Sequence, residues 1–294
     1  MLGVPGVLLD RCCFPAPGTA VTCAVSGGAD SLALLVLAVE AGCEVTAVHV
    51  DHGLRPGSAR EADAVQAAAA RLGAAFAAVR AEVERGPNLE ARARAARYAV
   101  LPPDVMTGHT ADDQAETVLL NVLRGSGLDG VAAMAPGVRR PILALRRAET
   151  RALCEAVGLV PFDDPSNTDP VHRRNRVRHD LVPLLDEIAD RDVVPLLVRL
   201  ADHAREATTH LAPAAAALDP TDARALAASP VVLARLAVRD WLRAVDDERH
   251  PPAAATVERV LDVARHTATA TDVGGGWRVE RTAGRLRLVP PPAG

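Results

Sequence analysis

One stretch near the N-terminus, AVTCAVSGGADSLALLVLAVEAG (residues 20–42), limits the folds open to this chain more than any other. It reads as a short apolar strand, a break at Gly27-Gly28 and then an apolar, helix-like run. A Gly- and Ser-rich turn of this kind leaves backbone N–H groups unpaired at a helix N-terminus, where the helix dipole favours negative charge. Glycines let the backbone approach a phosphate, and Ser26 and Ser31 add hydroxyl donors. The stretch therefore predicts an anion-binding turn.

The residues of the turn exclude two common kinds of phosphate-binding site. All 33 cationic residues are Arg, so the lysine of a P-loop is missing, and the dinucleotide pattern G-x-G-x-x-G is not matched. Asp30 would repel a phosphate unless a divalent cation lies between them, which indicates a magnesium-bound polyphosphate. An ordinary turn in which Asp30 and Ser31 cap the following helix explains the same residues about as well.

The rest of the first half predicts the fold class. Short β-branched runs alternate with longer Ala-, Leu- and Arg-rich runs from residue 20 to about residue 108, a pattern typical of βαβ units. We predict an α/β fold with a doubly wound, mostly parallel sheet, and strands near 21–25, 45–50, 75–79 and 105–108. Ligands of such sheets bind beyond the carboxyl ends of the strands, where both SGGADS and HVDHGLR fall.

The sequence changes character after about residue 205. We predict an α/β domain at 1–205 and a small, mainly helical domain at 206–294. One run in the second part has apolar residues at helical spacing, which predicts an amphipathic helix: Val257, Val260, Leu261 and Ala264. The segment 276–290 alternates apolar and basic residues and predicts a terminal hairpin.

Composition indicates the class of protein. A net charge of -4 gives no overall nucleic-acid signature, so a polyanionic partner would have to meet a local basic surface. The five cysteines show neither a C-x-x-C motif nor zinc-site spacing, which is typical of reduced cysteines in the cytosol. We see no signal peptide and no apolar run long enough to span a membrane. We therefore expect a soluble, cytoplasmic protein without membrane contact.

A second polar cluster lies in the run GHTADDQAET. His109, Asp113 and Glu116 are spaced four and three apart and would share one face of a helix, with Asp112 beside them. Such a cluster can bind Mg²⁺, orient a cation or remove a proton. Thr110 and Asp113 also resemble a capping box, and acids in a first helical turn suit the dipole. Capping explains the acids but not the histidine.

Two runs are rich in arginine. In NLEARARAARYAVL, Arg92 and its neighbours form an ordinary solvated face unless one of them reaches a phosphate. In DDPSNTDPVHRRNRVRHDLVPLL, cations crowd a helix N-terminus against the dipole, which favours an anionic partner, either nucleotide phosphate or nucleic acid. A solvated basic face neutralised by nearby aspartates is the alternative. The basic residues of this run and upstream of it are Arg173, Arg174, Arg176, Arg178, His179, Arg139, Arg140, Arg146, Arg147 and Arg151.

Taken in order, these motifs resemble those of a known family. SGGADS resembles the signature loop of the PP-loop ATP pyrophosphatases, which share an adenine nucleotide alpha hydrolase-like fold. The set HVDHGLR, NLEARARAARY, GHTADDQAET, LRGSGLDGV, RRPIL and DPSNTD…RNRVRH closely resembles the tRNA(Ile)-lysidine synthetases over about residues 20–185. The resemblance implies that ATP adenylates the 2-carbonyl of the wobble cytidine in the CAU anticodon of tRNA(Ile), releasing pyrophosphate. Free L-lysine then displaces AMP to give lysidine, which changes codon reading from AUG to AUA.

The resemblance also implies partners and site residues. We expect ATP and Mg²⁺ as cofactors, and a homodimer because the family is often dimeric. The implied catalytic residues are Asp30, His109, Asp113, Glu116, Arg92 and Arg176. The implied ATP-binding residues are Ser26, Gly27, Gly28, Ala29, Asp30, Ser31 and His49, with Asp30 and Asp112 as metal ligands. The implied tRNA-binding residues are Arg139, Arg140, Arg173, Arg174 and Arg178, together with the helical domain. A chain ending at Gly294 resembles shorter members that lack a further C-terminal domain.

Two other functions share parts of this pattern. A PP-loop tRNA thiolase would activate a base for attack by sulfur, but such enzymes typically need paired cysteines, and here only Cys12-Cys13 are adjacent, ahead of the first strand. A non-catalytic nucleotide sensor would need neither the acidic cluster nor the basic stretch around Arg176. Fold alone does not separate these functions, because function depends on the site.

Overall fold

The computed structural model describes residues 6–51, 58–81, 89–162, 169–244 and 252–291. Contacts divide the chain into two compact units, the first formed by residues 1–117 and 134–198 and the second by 118–133 and 199–294. The domain boundary expected after residue 205 stays a prediction. Within the described ranges, no helix is long and apolar enough to cross a lipid bilayer.

The first unit is built on a four-stranded parallel sheet of order β3-β2-β1-β4. Its strands are β1 Ala20–Ala24, β2 Glu44–Asp51, β3 Ala75–Arg80 and β4 Met106–Thr107. This confirms the predicted doubly wound parallel sheet, with strands at the four expected places. Strands β2 and β3 lie on one side of β1, and β4 lies on the other. The order in which strands are added to the sheet therefore reverses between β1 and β4. In open α/β sheets, ligands bind at the carboxyl ends of the strands at such a switch point.

Helices surround this sheet and continue the first unit. They are α1 Gly6–Leu9, α2 Ala29–Glu40, α3 Ser58–Arg71, α4 Leu89–Val100, α5 Ala111–Leu123, α7 Arg147–Ala156, α8 Arg173–Arg176, a π-helical turn at Val177–Leu181, α9 Val182–Ala189 and α10 Val194–Ala216. Helices α5 and α10 begin in the first unit, and their later residues belong to the second. Helix α2 contacts β1, β2 and α7, and its residues Leu34, Leu35 and Leu37 have no exposed area. It is apolar on all sides because both the sheet and α7 cover it. The end of β1 and the start of α2 are therefore fixed by the core.

The second unit combines helices with a small antiparallel sheet. Its elements are α6 Leu128–Val131, α11 Ala223–Ala228, α12 Val231–Ala244, α13 Ala254–Ala264, β5 Ala270–Gly274, β6 Trp277–Thr282 and β7 Arg285–Val289. The predicted apolar stripe of α13 is buried. The expected hairpin is present as β6 and β7, joined at Ala283-Gly284, which both have positive φ as a two-residue hairpin turn requires. Strand β5 was not predicted, because ATDVG is short and lacks a run of large β-formers.

Candidate active site

The turn after β1 offers backbone N–H groups to an anion. Gly27 has a φ of +88°, a left-handed conformation that glycine adopts without strain. Gly28 is the N-cap of α2 and provides no side chain to cap the N–H groups of the first turn. The Ser31 Oγ accepts the Ser26 N–H at 3.2 Å and donates to the Gly28 carbonyl at 2.9 Å, so the serines fix the turn itself. Such a turn is suited to phosphate.

His49 lies in β2 beneath this turn. Its side chain is 3% exposed, and its Nδ1 lies 2.9 Å from the carbonyl oxygen of Val25. A carbonyl can only accept, so His49 Nδ1 carries the proton and donates it. The contact of His49 with ATP stays a prediction; the structure adds that this residue supports the end of β1.

Asp30 is held by the first turn of α7. The Thr150 hydroxyl donates to Asp30 Oδ1 at 2.5 Å, and Arg147 Nε lies 3.5 Å from Asp30 Oδ2. Asp30 therefore pairs across the unit and does not cap its own helix. Burial raises the pKa of Asp30, and the nearby Asp113 carboxylate raises it further. The hydrogen bond from Thr150 lowers it, but the net effect is a raised pKa. A carboxylate in this position is stabilised by any additional cation.

The turn after β4 comes directly against the turn after β1. A Cβ atom on Gly108 would lie 2.6 Å from the backbone oxygen of Asp30, closer than carbon and oxygen can approach. Only glycine allows this contact, which brings the start of α5 next to the phosphate turn. His109 follows at once, with its Nδ1 2.8 Å from the Thr107 hydroxyl.

Asp113 combines helix capping with ion pairing. Its Oδ2 accepts hydrogen bonds from the backbone N–H and the hydroxyl of Thr110, at 2.9 and 3.0 Å, as the capping interpretation predicted. Its Oδ1 lies 3.1 Å from Arg147 Nη2 and 3.5 Å from Arg174 Nη2. Burial raises the pKa of Asp113, but Arg147 and Arg174 lower it further, and the net effect is a lowered pKa. Asp113 is therefore ionised at neutral pH.

Glu116 is the most enclosed acid of the cluster, at 1% exposure. Its Oε2 accepts from Arg174 Nε at 2.7 Å, and its Oε1 accepts from Arg178 Nε at 2.7 Å and from Arg147 at 3.2 Å. Three guanidinium groups thus converge on one buried carboxylate. A charge removed from water to this extent is stable only when it is paired and hydrogen-bonded in this way.

Asp112 pairs with the side chain of a different arginine, Arg146. Its oxygens accept from Arg146 Nε at 3.1 Å and Arg146 Nη2 at 3.2 Å, and from the backbone N–H of Arg147 at 2.8 Å. Arg146 also pairs with Asp192. The role of Asp112 as a metal ligand stays a prediction; the structure shows both of its oxygens accepting hydrogen bonds from protein groups.

The start of α7 supplies site residues that the sequence analysis did not select. Arg146 and Arg147 were grouped with a basic surface, and Thr150 was not considered. One signal could have identified this helix start: Glu149 Oε2 accepts the Arg146 N–H at 2.7 Å, which is half of a capping box. A helix that begins at Arg147 places residues 147 and 150 one turn apart on the same face.

The predicted arginines fall into two groups. Arg174 and Arg178 are four residues apart and both reach Glu116, whereas Arg176 is 68% exposed and pairs with Asp180 at 3.5 Å. Arg173 is exposed as well. Arg139 is exposed, and its carbonyl accepts a hydrogen bond from the Thr107 N–H. Arg140 and, in α4, Arg92 are half-buried.

The chain is similar to known proteins over most of its length. The PP-loop domain family matches residues 9–185. The tRNA(Ile)-lysidine synthase of Nocardia farcinica is 42% identical over 292 residues, which cover 94% of this chain and 90% of the relative. The chain belongs to the tRNA(Ile)-lysidine synthase family. The lysidine synthase of Rhodococcus erythropolis is also 42% identical, over 242 residues covering 77% and 74% of the two chains.

Membership of the lysidine synthase family makes this chain a ligase that uses ATP through its PP-loop domain. Among solved structures, the U34-tRNA thiolase NcsA from Methanococcus maripaludis matches with a TM-score of 0.51 and 19% identity, covering 64% of this chain and 72% of the thiolase. At that identity the likeness shows a shared fold and no more. The predicted PP-loop fold and family are therefore confirmed.

Proposed function

We propose that this protein ligates free L-lysine to the 2-carbon of the wobble cytidine in the CAU anticodon of tRNA(Ile), through an adenylated cytidine, and so changes codon reading from AUG to AUA. One observation carries the proposal: a phosphate-type turn and a buried cluster of acids and arginines meet at the same switch point of the sheet. The turn suits the nucleotide, and the cluster suits an attack by a cationic amine.

For the adenylation step, we propose that residues 26–31 bind the ATP phosphates and that Asp30 holds Mg²⁺. Within the described part of the chain, no group of three or more His, Cys, Asp or Glu side chains is placed to hold a metal. Asp30 alone still fits, because Mg²⁺ in nucleotide sites is commonly bound by one or two carboxylates together with substrate phosphates and water. When bound, Mg²⁺ would neutralise charge on the leaving pyrophosphate. Arg92 and Arg176 remain our candidates for further phosphate contacts.

For the lysine step, we propose His109 as the base that takes a proton from the attacking amine. The Thr107 hydroxyl lies 3.2 Å from the carbonyl of Arg139, which can only accept, so we propose that the hydroxyl donates there and that His109 Nδ1 donates to Thr107. That tautomer leaves Nε2 as the basic nitrogen of His109. Asp113 has a lowered pKa, which suits a group that pairs with an ammonium better than one that removes its proton.

We propose that Glu116 acts by positioning arginines. Its contacts with Arg174 and Arg178 lead us to assign these two residues to the catalytic centre, where the sequence had suggested tRNA binding. Arg139, Arg140 and Arg173 stay our candidates for the tRNA backbone, because arginines commonly contact phosphate oxygens of nucleic acids and none of these three is fully buried. Contact of residues 206–294 with tRNA, a homodimer and a cytoplasmic location also stay predictions.

A tRNA thiolase is the alternative, and the cysteines give it little support. Burial, together with the neighbouring Cys13, raises the pKa of the Cys12 thiol to about 12. Cys154 lies under the phosphate turn, with its Sγ 3.4 Å from the Ala29 carbonyl, and burial raises its pKa to about 11. Thiolates are the reactive form of cysteine, and both sites disfavour them.

The test is incorporation of radiolabelled lysine into tRNA(Ile) with a CAU anticodon, with and without ATP. Elongator tRNA(Met), which shares the anticodon, is the matched control. We expect ATP-dependent labelling of tRNA(Ile) alone. A folded, ATP-binding protein that transfers no lysine would contradict the proposal, and transfer of sulfur to tRNA would establish the alternative.

A further inference from the structure

Arg147 has an arrangement of contacts that the proposed reaction does not explain. Its Nε faces Asp30 of the phosphate turn at 3.5 Å, and its terminal nitrogens face Asp113 at 3.1 Å and Glu116 at 3.2 Å. Its side chain is 20% exposed, so water replaces few of these contacts. One guanidinium therefore bridges the turn after β1 and the first turns of α5.

The backbone around Arg147 holds it in this place. Its N–H donates to Asp112 at 2.8 Å, and its carbonyl oxygen lies 2.8 Å from the Thr150 hydroxyl, whose single proton it shares with Asp30. The side chain thus leaves a fixed helix start and reaches Asp30, Asp113 and Glu116. A cation between these three carboxylates offsets their mutual repulsion, and the guanidinium of Arg147 faces all three.

We propose that Arg147 is a positioning residue whose guanidinium occupies, between Asp30 and the carboxylates of α5, the place that a metal cation would otherwise take. It competes with a divalent metal for Asp30 until nucleotide phosphate supplies a stronger partner for the guanidinium. The proposal rests on the assignment of Asp30 as a metal ligand in the proposed function. It predicts that metal without nucleotide binds weakly, and that metal and nucleotide bind well together.

The two halves of the proposal predict opposite effects of one substitution. In Arg147→Met, Asp30 loses its competing cation, so binding of a free divalent metal should become tighter. The same variant lacks the positive charge that meets the phosphates, so binding of Mg·ATP should become weaker. A variant that had merely lost its local structure would bind both more weakly.

The experiment measures Mn²⁺ binding without nucleotide, from the electron paramagnetic resonance signal of free Mn²⁺, and Mg·ATP binding by calorimetry, both without lysine or tRNA. For Arg147→Met we expect Mn²⁺ binding about tenfold tighter and Mg·ATP binding about tenfold weaker, each corresponding to about 1.4 kcal/mol. Arg147→Lys keeps the charge and should restore Mn²⁺ binding to the wild-type value. Arg199→Met, on an exposed residue of α10, should change neither quantity.

A folded Arg147→Met protein with unchanged or weaker Mn²⁺ binding overturns the role of Arg147, whatever happens to lysine transfer. Asp30→Asn separates this failure from that of the metal assignment. If Asp30→Asn binds Mn²⁺ as well as the wild type does, Asp30 is not the metal ligand and the competition at Asp30 is refuted as well. If Asp30→Asn abolishes Mn²⁺ binding and Arg147→Met enhances it, both assignments are supported.

Discussion

Replacing Glu116 by Gln tests whether this carboxylate holds the arginines of the site. Its Oε1 accepts from Arg178 Nε and from both terminal nitrogens of Arg147, and its Oε2 accepts from Arg174 Nε and Arg178 Nη2. A glutamine keeps one oxygen, and its NH₂ group faces guanidinium donors in either orientation. At least two charge-assisted hydrogen bonds are lost as a result.

The expected cost follows from these contacts. Hydrogen bonds to charged groups contribute about 1.5–3 kcal/mol each. Asp113 remains 3.1–3.6 Å from the same three arginines, and their side chains are 20–31% exposed, so part of the loss is recovered. We expect Glu116→Gln to lower the free energy of unfolding by about 2–4 kcal/mol.

The assay is urea unfolding followed by circular dichroism. Asp180→Asn is the matched control, since Asp180 pairs with Arg176 at a site where both side chains are more than 60% exposed. Exposed pairs contribute at most about 1 kcal/mol, so this control should be nearly neutral. If Glu116→Gln costs no more than Asp180→Asn, the arginines do not depend on Glu116 and the reasoning fails.

Three further substitutions test the electrostatics of the two units. Asp30→Asn should stabilise the nucleotide-free protein at pH 7, because burial raises the pKa of Asp30 and its ionisation therefore costs stability as the pH rises from about 3.9 through the folded pKa. The extra stability of Asp30→Asn should disappear when thermal unfolding is measured at lower pH. If the variant is no more stable than the wild type at pH 7, the raised pKa of Asp30 is contradicted. Asp113→Asn should be less stable than the wild type at pH 7, because the arginines outweigh burial and lower the pKa of Asp113. The difference in stability should shrink as the pH falls below about 3.9, where the wild-type carboxylate begins to be protonated. A difference that does not change with pH would argue against ion pairing. Asp129→Asn should cost the second unit about 3–5 kcal/mol, because Arg239, 9% exposed, loses its partner. Fluorescence of the two tryptophans, both in that unit, reports the unfolding, and an unshifted transition would refute the pair.

Much of the first unit could be predicted because its signals are local. The strands follow from short β-branched runs, and the Gly27-Gly28 turn follows from its own residues. The meeting of SGGADS with GHTADDQAET then follows from parallel topology, which brings the carboxyl ends of β1 and β4 to one edge. The role of Gly108 could not be predicted, because its close contact is with a backbone atom far away in the sequence.

The pairing of the arginines was beyond the sequence for another reason. A run of cations shows that positive charge is present, but it does not say which carboxylate each cation meets. Helical spacing predicts part of the pairing: Arg174 and Arg178 are four residues apart and share a face of the helix, while Arg176 lies on another face. Arg147 carried no such signal, because its partners lie in two other elements.

The use of arginine in this cluster has a chemical consequence for the proposed reaction. The chain contains no lysine, and three guanidinium groups surround Glu116. A guanidinium stays protonated at any physiological pH, so it supplies positive charge without supplying a nucleophile. A buried lysine beside other cations would lose its proton more easily and would present a second amine near the activated base. In the proposed reaction, arginine at residues 147, 174 and 178 would therefore add no protein amine beside the attacking lysine, whereas exposed arginines such as Arg176 have no such constraint and should tolerate lysine.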